Sequence, residues 1–152
     1  MVQSKVTAAL VPRPRLRIQG KIDLSKIQLV AIIDDDASVR ATTDSLVRSF
    51  GYVVNTFASA EEFLRSNSLD DFACVMADVQ MPGMSGVQLQ EHLRARGYRV
   101  PFIFFTAFPD EKTRARALAG GATCYLTKPF DGDSLIQYFQ AALKMRDGKA
   151  GS

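Results

Sequence analysis

Five short apolar runs recur along the chain, at Leu29–Ile33, Tyr52–Val54, Phe72–Ala77, Phe102–Phe105 and Cys124–Leu126. Runs this short, without a polar break, suit strands covered on both faces. Helical patterns separate them. Val39, Thr43, Leu46, Val47 and Phe50 fall on one face of a helix, and Gly51 stands where a helix C-terminus takes positive φ. Leu135, Phe139, Ala142 and Leu143 repeat that face near the end of the chain, while segments 59–66, 85–96 and 110–119 read as shorter helices. Ser59 followed by Glu62 has the spacing of a capping box, and Ser85 suits an N-cap. Strand then helix, five times over, predicts an α/β fold: a doubly wound five-stranded parallel sheet with five helices and right-handed crossovers.

The 152 residues are enough for one such domain, and 47% hydrophobic against 23% charged residues argues against global disorder. No apolar run approaches the ~20 residues that span a bilayer. Two cysteines, Cys74 and Cys124, and one histidine, His92, exclude a disulfide scaffold, a four-ligand zinc site and a multi-histidine centre. A reducing cytoplasm is the expected compartment. The cysteines read as buried small hydrophobes, and His92 as a solvated helix residue. Arg94, Arg96 and Arg99, and then Lys112, Arg114 and Arg116, read as solvated basic faces.

The net charge of +3 is unevenly spread: residues 1–27 carry +5 and the remainder −2. Val11-Pro12-Arg13-Pro14-Arg15 suits neither helix nor strand. Residues 1–27 are therefore expected to form a basic, flexible extension, 28–146 the folded domain and 147–152 a C-terminal tail. Because the basic charge belongs to the extension, no direct nucleic-acid binding is expected of the domain.

The chemistry gathers at strand ends, where open parallel sheets bind ligands. Asp34-Asp35-Asp36 follow the first strand, Asp78 the third, Thr106 the fourth and Lys128 the fifth. Asp36 suits the cap of the first helix. Carboxylates held together repel and call for a cation, and hard oxygen donors at an open site favour Mg²⁺ with a phosphate. The lysine would neutralise a further anion and the hydroxyl would donate to it. Such a set suits a carboxylate that accepts a phosphoryl group. A carboxylate is ionised at neutral pH and needs no general base to attack.

Ile32-Ile33-Asp34-Asp35-Asp36, Asp78-Val79-Gln80-Met81-Pro82-Gly83-Met84-Ser85-Gly86, Phe104-Phe105-Thr106-Ala107 and Lys128-Pro129-Phe130 together resemble the response-regulator receiver domains of two-component signalling. The resemblance covers residues 28–146 and is nearest to receivers fused to helix-turn-helix outputs. It implies a flavodoxin-like sheet of order 2-1-3-4-5, a signalling domain rather than an enzyme, and phosphorylation of Asp78 by a histidine kinase. It implies Mg²⁺ bound by Asp35, Asp78 and the Gln80 carbonyl, with Asp34 acting through water. Lys128 would pair with the phosphoryl oxygens and Thr106 would turn its hydroxyl to them. Small Ala107 would leave access, and Tyr125 would reorient with the threonine. Lys128-Pro129 is expected to be cis. Gln80 and Phe108 flank the site where phosphoryl lifetime is controlled.

The resemblance further implies a protein partner, or a second copy in a homodimer, on the face formed by residues 110–146. Because the chain stops soon after its last helix, the expectation is a stand-alone receiver. The alternative is the receiver half of a transcriptional regulator. A third possibility, a phosphatase using Asp78 as nucleophile, lacks the second acid expected at Gln80.

Overall fold

A computed structural model describes residues 28–66 and 69–151. The extension expected over residues 1–27 lies outside the described residues. In β1 (Leu29–Ile33), Val30 and Ile32 face one side of the sheet while Ala31 and Ile33 face the other. β3 (Cys74–Asp78) and β4 (Phe102–Thr106) are buried at every position, because helices cover both of their faces. With β2 (Val53–Phe57) and β5 (Cys124–Thr127) they form a parallel sheet of order β2-β1-β3-β4-β5, as expected.

α1 (Ala37–Ser49) and α5 (Gly132–Gly151) lie on one face, where Val47, Leu135, Phe139 and Ala142 meet Ile32, Met76 and Phe105. α2 (Ala60–Leu64), α3 (Gly86–Ala95) and α4 (Glu111–Ala119) lie on the other, where Phe63, Leu89, Leu93 and Ala117 meet Ile33, Val75 and Phe104. Phe63, Phe72, Phe102, Phe104, Phe105 and Phe139 are almost fully buried. Each contributes about 1.5–3 kcal/mol of transfer free energy. This two-sided core fixes the strand ends, and with them the site.

The capping signals are realised in part. Asp36 accepts from the N–H groups of Ser38 and Val39, and Ser85 forms a full capping box with Gln88. Ser59 accepts from the Glu62 N–H, but the Glu62 carboxylate accepts from Ala58, one residue before the cap, so the reciprocal half of the expected box is absent. Gly51 has φ +97°. The second strand runs three residues beyond the apolar run Tyr52–Val54. As an edge strand it tolerates exposed Asn55 and Thr56, so hydrophobicity alone marks it poorly. Phe72 and Ala73 are buried but precede β3, which instead takes in Asp78.

Candidate functional site

Each of the three consecutive aspartates has its own task. Asp34 follows β1, its N–H donates to the Phe57 carbonyl, and its side chain is fully buried. Its Oδ1 accepts from the Asp36 N–H at 2.9 Å, and its own carbonyl accepts from Arg40 Nη1 at 2.7 Å. Asp35 is exposed, and Asp36 caps α1. Asp78 ends β3 with 6% of its surface exposed. Gln80 N–H donates to Asp78 Oδ1 at 3.0 Å, which leaves Oδ2 for Lys128.

Lys128 is placed by its own N–H, which donates to the Thr106 carbonyl, and the following bond to Pro129 is cis, as expected. Its ammonium lies 3.1 Å from Asp78 Oδ2 and 3.4 Å from Asp34 Oδ2, over the Phe105 ring. Burial alone would lower the Lys128 pKa. The hydrogen bond to Asp78 and the charges of Asp34 and Asp78 outweigh it, and the net shift is upward. Burial raises the Asp34 pKa, helped by the charge of Asp78 and opposed by the Asp36 N–H and Lys128.

Thr106 ends β4 and is fully buried. Its Oγ1 accepts from the Phe108 N–H at 3.1 Å and donates to Gln80 Oε1 at 3.4 Å. Ala107 beside it is exposed, and so is Phe108. Tyr125 is half-buried in β5, with its hydroxyl buried beside the Asp110 backbone. α3 starts hard against the site: a Cβ on Gly86 would lie 2.4 Å from the Asp78 carbonyl oxygen, so only glycine fits. A cleft of about 510 Å³ opens beside the site between the β3–α3 loop and α4, bordered by Gln80, Met81, Ser85, Thr113 and Arg116. It contains none of the clustered carboxylates.

One carboxylate oxygen each from Asp34, Asp35 and Asp78 lies within 4.8 Å of the other two. Three carboxylates against one ammonium leave excess negative charge on hard oxygen donors. That set fits Mg²⁺ and not a thiophilic metal.

Some contributors to this region were not visible in the sequence. Arg94 was expected on a solvated face. Instead its Nε donates to the Gly120 carbonyl and its Nη1 to the Tyr98 carbonyl, with the guanidinium over Phe102. Arg116 pairs with Glu91, and Arg114 with Glu111. Glu61 and Gln90 carry no local signal, because each contact depends on the tertiary approach of another element. His92 is half-buried beside Arg96, and Cys74 and Cys124 are buried free thiols on strands separated by β4.

A family model described as "Response regulator receiver domain" matches residues 30–140. The chain belongs to that family, the receiver domains of two-component response regulators. It is 39% identical over 116 residues to the transcriptional regulatory protein TdiR of Thauera aromatica, covering 76% of this chain and 51% of that protein. It is 37% identical over 130 residues to nodulation protein W of Bradyrhizobium diazoefficiens, covering 86% and 57%. The chain thus spans about half the length of the curated relatives it matches. Among solved structures it superposes on response regulator StyR with TM-score 0.76 and 36% identity, over 82% of this chain and 63% of that one. FixJ-N superposes with TM-score 0.70 and 29% identity, over 77% and 94%. Receiver domains are signalling modules rather than conventional enzymes; they interact with histidine kinases and typically bind Mg²⁺ at an acidic pocket. No described helix is long and apolar enough to cross a membrane.

Proposed function

We propose that this receiver accepts a phosphoryl group on Asp78 from a histidine kinase and relays its state through residues 110–146 to a protein partner. One observation carries the reading: Asp78 sits between the carboxylates of Asp34 and Asp35 and an ammonium 3.1 Å from its Oδ2. Asp34, Asp35 and Asp78, with the Gln80 carbonyl, would hold Mg²⁺. When bound, the ion offsets negative charge on the phosphoryl oxygens.

The chain's own residues account for the rest. An Asp78 oxygen forms the new P–O bond as the P–N bond to the kinase imidazole breaks. The Gln80 N–H fixes the carboxylate plane, so attack needs no rotation of the side chain. Lys128 then exchanges its contact with Asp78 for the transferred oxygens, and Thr106 offers them its hydroxyl. Exposed Ala107 leaves the approach open. Positioning and charge compensation suffice, because phosphoryl transfer asks little covalent help of a protein.

Acetyl phosphate with Mg²⁺ should add one phosphoryl group to the wild type and none to Asp78→Asn, read by intact mass. Stoichiometric labelling of that variant would refute Asp78 as acceptor.

A second reading has its own support, since TdiR is named a transcriptional regulatory protein and the chain spans about half of it. The same face would then signal to an output joined to the receiver. The mass of the gene product in its host separates the two readings.

A further inference from the structure

The β3–α3 loop carries Gln80 and is tied at three points. At its start the Gln80 N–H donates to Asp78. At its end the Gly86 N–H donates to the Val79 carbonyl, and the Ser85–Gln88 capping box fixes the start of α3. The bend between them, Gly83–Met84, is held from a different element. Glu61 Oε2, on α2, accepts from the Met84 N–H at 3.0 Å across 23 residues of sequence. The same oxygen lies so close to Gly83 that a Cβ there would come within 2.8 Å of it. Gly83 also has φ +77°, and it is this backbone conformation that calls for glycine at the bend. α2 is itself held firmly, by the Ser59 cap and by buried Ala60 and Phe63. Glu61 is therefore presented by an anchored helix.

We propose that Glu61 is a positioning residue for Mg²⁺-dependent phosphotransfer: its carboxylate pins the Gly83–Met84 bend and so holds the Gln80 carbonyl at the carboxylate cluster. The inference rests on the reading of Asp34, Asp35, Asp78 and the Gln80 carbonyl as the metal-binding set. Asp78 belongs to β3 and stays in place if the bend is released. The Gln80 N–H stays on Asp78 as well, but its carbonyl faces the loop, and releasing the bend three residues on frees its orientation. The loss therefore falls on metal affinity and leaves the acceptor intact.

Calorimetric titration with Mg²⁺, and labelling by acetyl phosphate, would compare the wild type with Glu61→Ala and Glu61→Gln. Glu61→Ala should weaken Mg²⁺ binding about tenfold, the low end for losing a hydrogen bond that supports a metal site. Labelling of Glu61→Ala at saturating Mg²⁺ should match the wild-type rate. Glu61→Gln keeps an acceptor oxygen but no charge, and should recover most of the affinity. Without Mg²⁺, hydrogen exchange at the Met84 amide should accelerate in Glu61→Ala and stay protected in Glu61→Gln. If the glutamine variant binds Mg²⁺ as poorly as the alanine variant, Glu61 acts through its charge and the positioning role is overturned. Unchanged affinity in Glu61→Ala overturns it as well. A wild type that binds no Mg²⁺ removes the metal-site reading and this proposal together, a failure recognisable because it appears before any substitution.

Discussion

Asp34 is the residue whose environment most opposes its charge. It is fully buried, and burial is the first cause of its raised pKa. The folded carboxyl holds its proton more tightly than the unfolded one, so ionising it costs stability above the folded pKa. Asp34→Asn removes that cost and keeps an oxygen for the Asp36 N–H. Without Mg²⁺ at pH 7.5 the variant should melt higher, by roughly 4 °C for a domain of this size. The gain should shrink as pH falls between the raised folded value and the ordinary 3.8. Added Mg²⁺ should reverse the order, since the wild type gains more by mass action. Thermal melts over pH, with and without Mg²⁺, test this. A variant melting below the wild type at pH 7.5 without the ion would mean that Lys128 depends on Asp34 more than Asp34 suffers from burial.

At the scale of elements, α4 depends on polar ties, because Ala117 is its one buried residue. Three side chains of α3 hold it. Buried Gln90 Nε2 donates to the Ala117 carbonyl, Arg94 Nε to the Gly120 carbonyl, and Glu91 receives Arg116 through two oxygens. Magnitudes separate their contributions. The Glu91–Arg116 pair is half-exposed and worth less than about 1 kcal/mol. Arg94 makes two charge-assisted bonds to carbonyls, each worth about 1.5 kcal/mol or more. Arg94→Met should therefore lower stability by roughly 3 kcal/mol in urea denaturation, and α4 amides should exchange faster while those of α1 do not. Glu91→Gln should cost less than about 1 kcal/mol. Equal costs would assign the tie to the ion pair. These contacts were also the least legible in the sequence, since Gln90 and Arg94 meet partners 27 and 26 residues away, with no periodicity to mark them. β1 and β4 were legible because both of their faces are apolar. β2 was legible only at its start, Val53 and Val54, because an edge strand carries polar residues further on. Asp34, Asp78, Thr106 and Lys128 stood out because a parallel sheet brings its strand ends to one edge, whatever their separation in the chain.

Across the whole molecule, adjacent strands connect the site to the α4 side. Thr106 is in register with Thr127, and Phe104, on the α2–α4 face, is in register with Tyr125. The Thr106 hydroxyl has one proton, and at rest it is spent on a long 3.4 Å bond to Gln80. Moving it to a phosphoryl oxygen sacrifices little and gains a charge-assisted bond. Tyr125 has its hydroxyl buried beside the backbone of Asp110, the N-cap of α4. Burial pushes its phenol pKa up, so the hydroxyl stays neutral. Thr106→Ala should still bind beryllofluoride at Asp78, yet lose roughly 5- to 150-fold in the population ratio of the switched state. Tyr125→Phe removes the hydroxyl beside the α4 N-cap and should alter the α4 response. Amide NMR shifts of α4 and β5, before and after beryllofluoride, measure both. Wild-type shifts in Thr106→Ala would show that the signal leaves Asp78 without this hydroxyl. Wild-type shifts in Tyr125→Phe would show that the Tyr125 hydroxyl sets no part of the equilibrium.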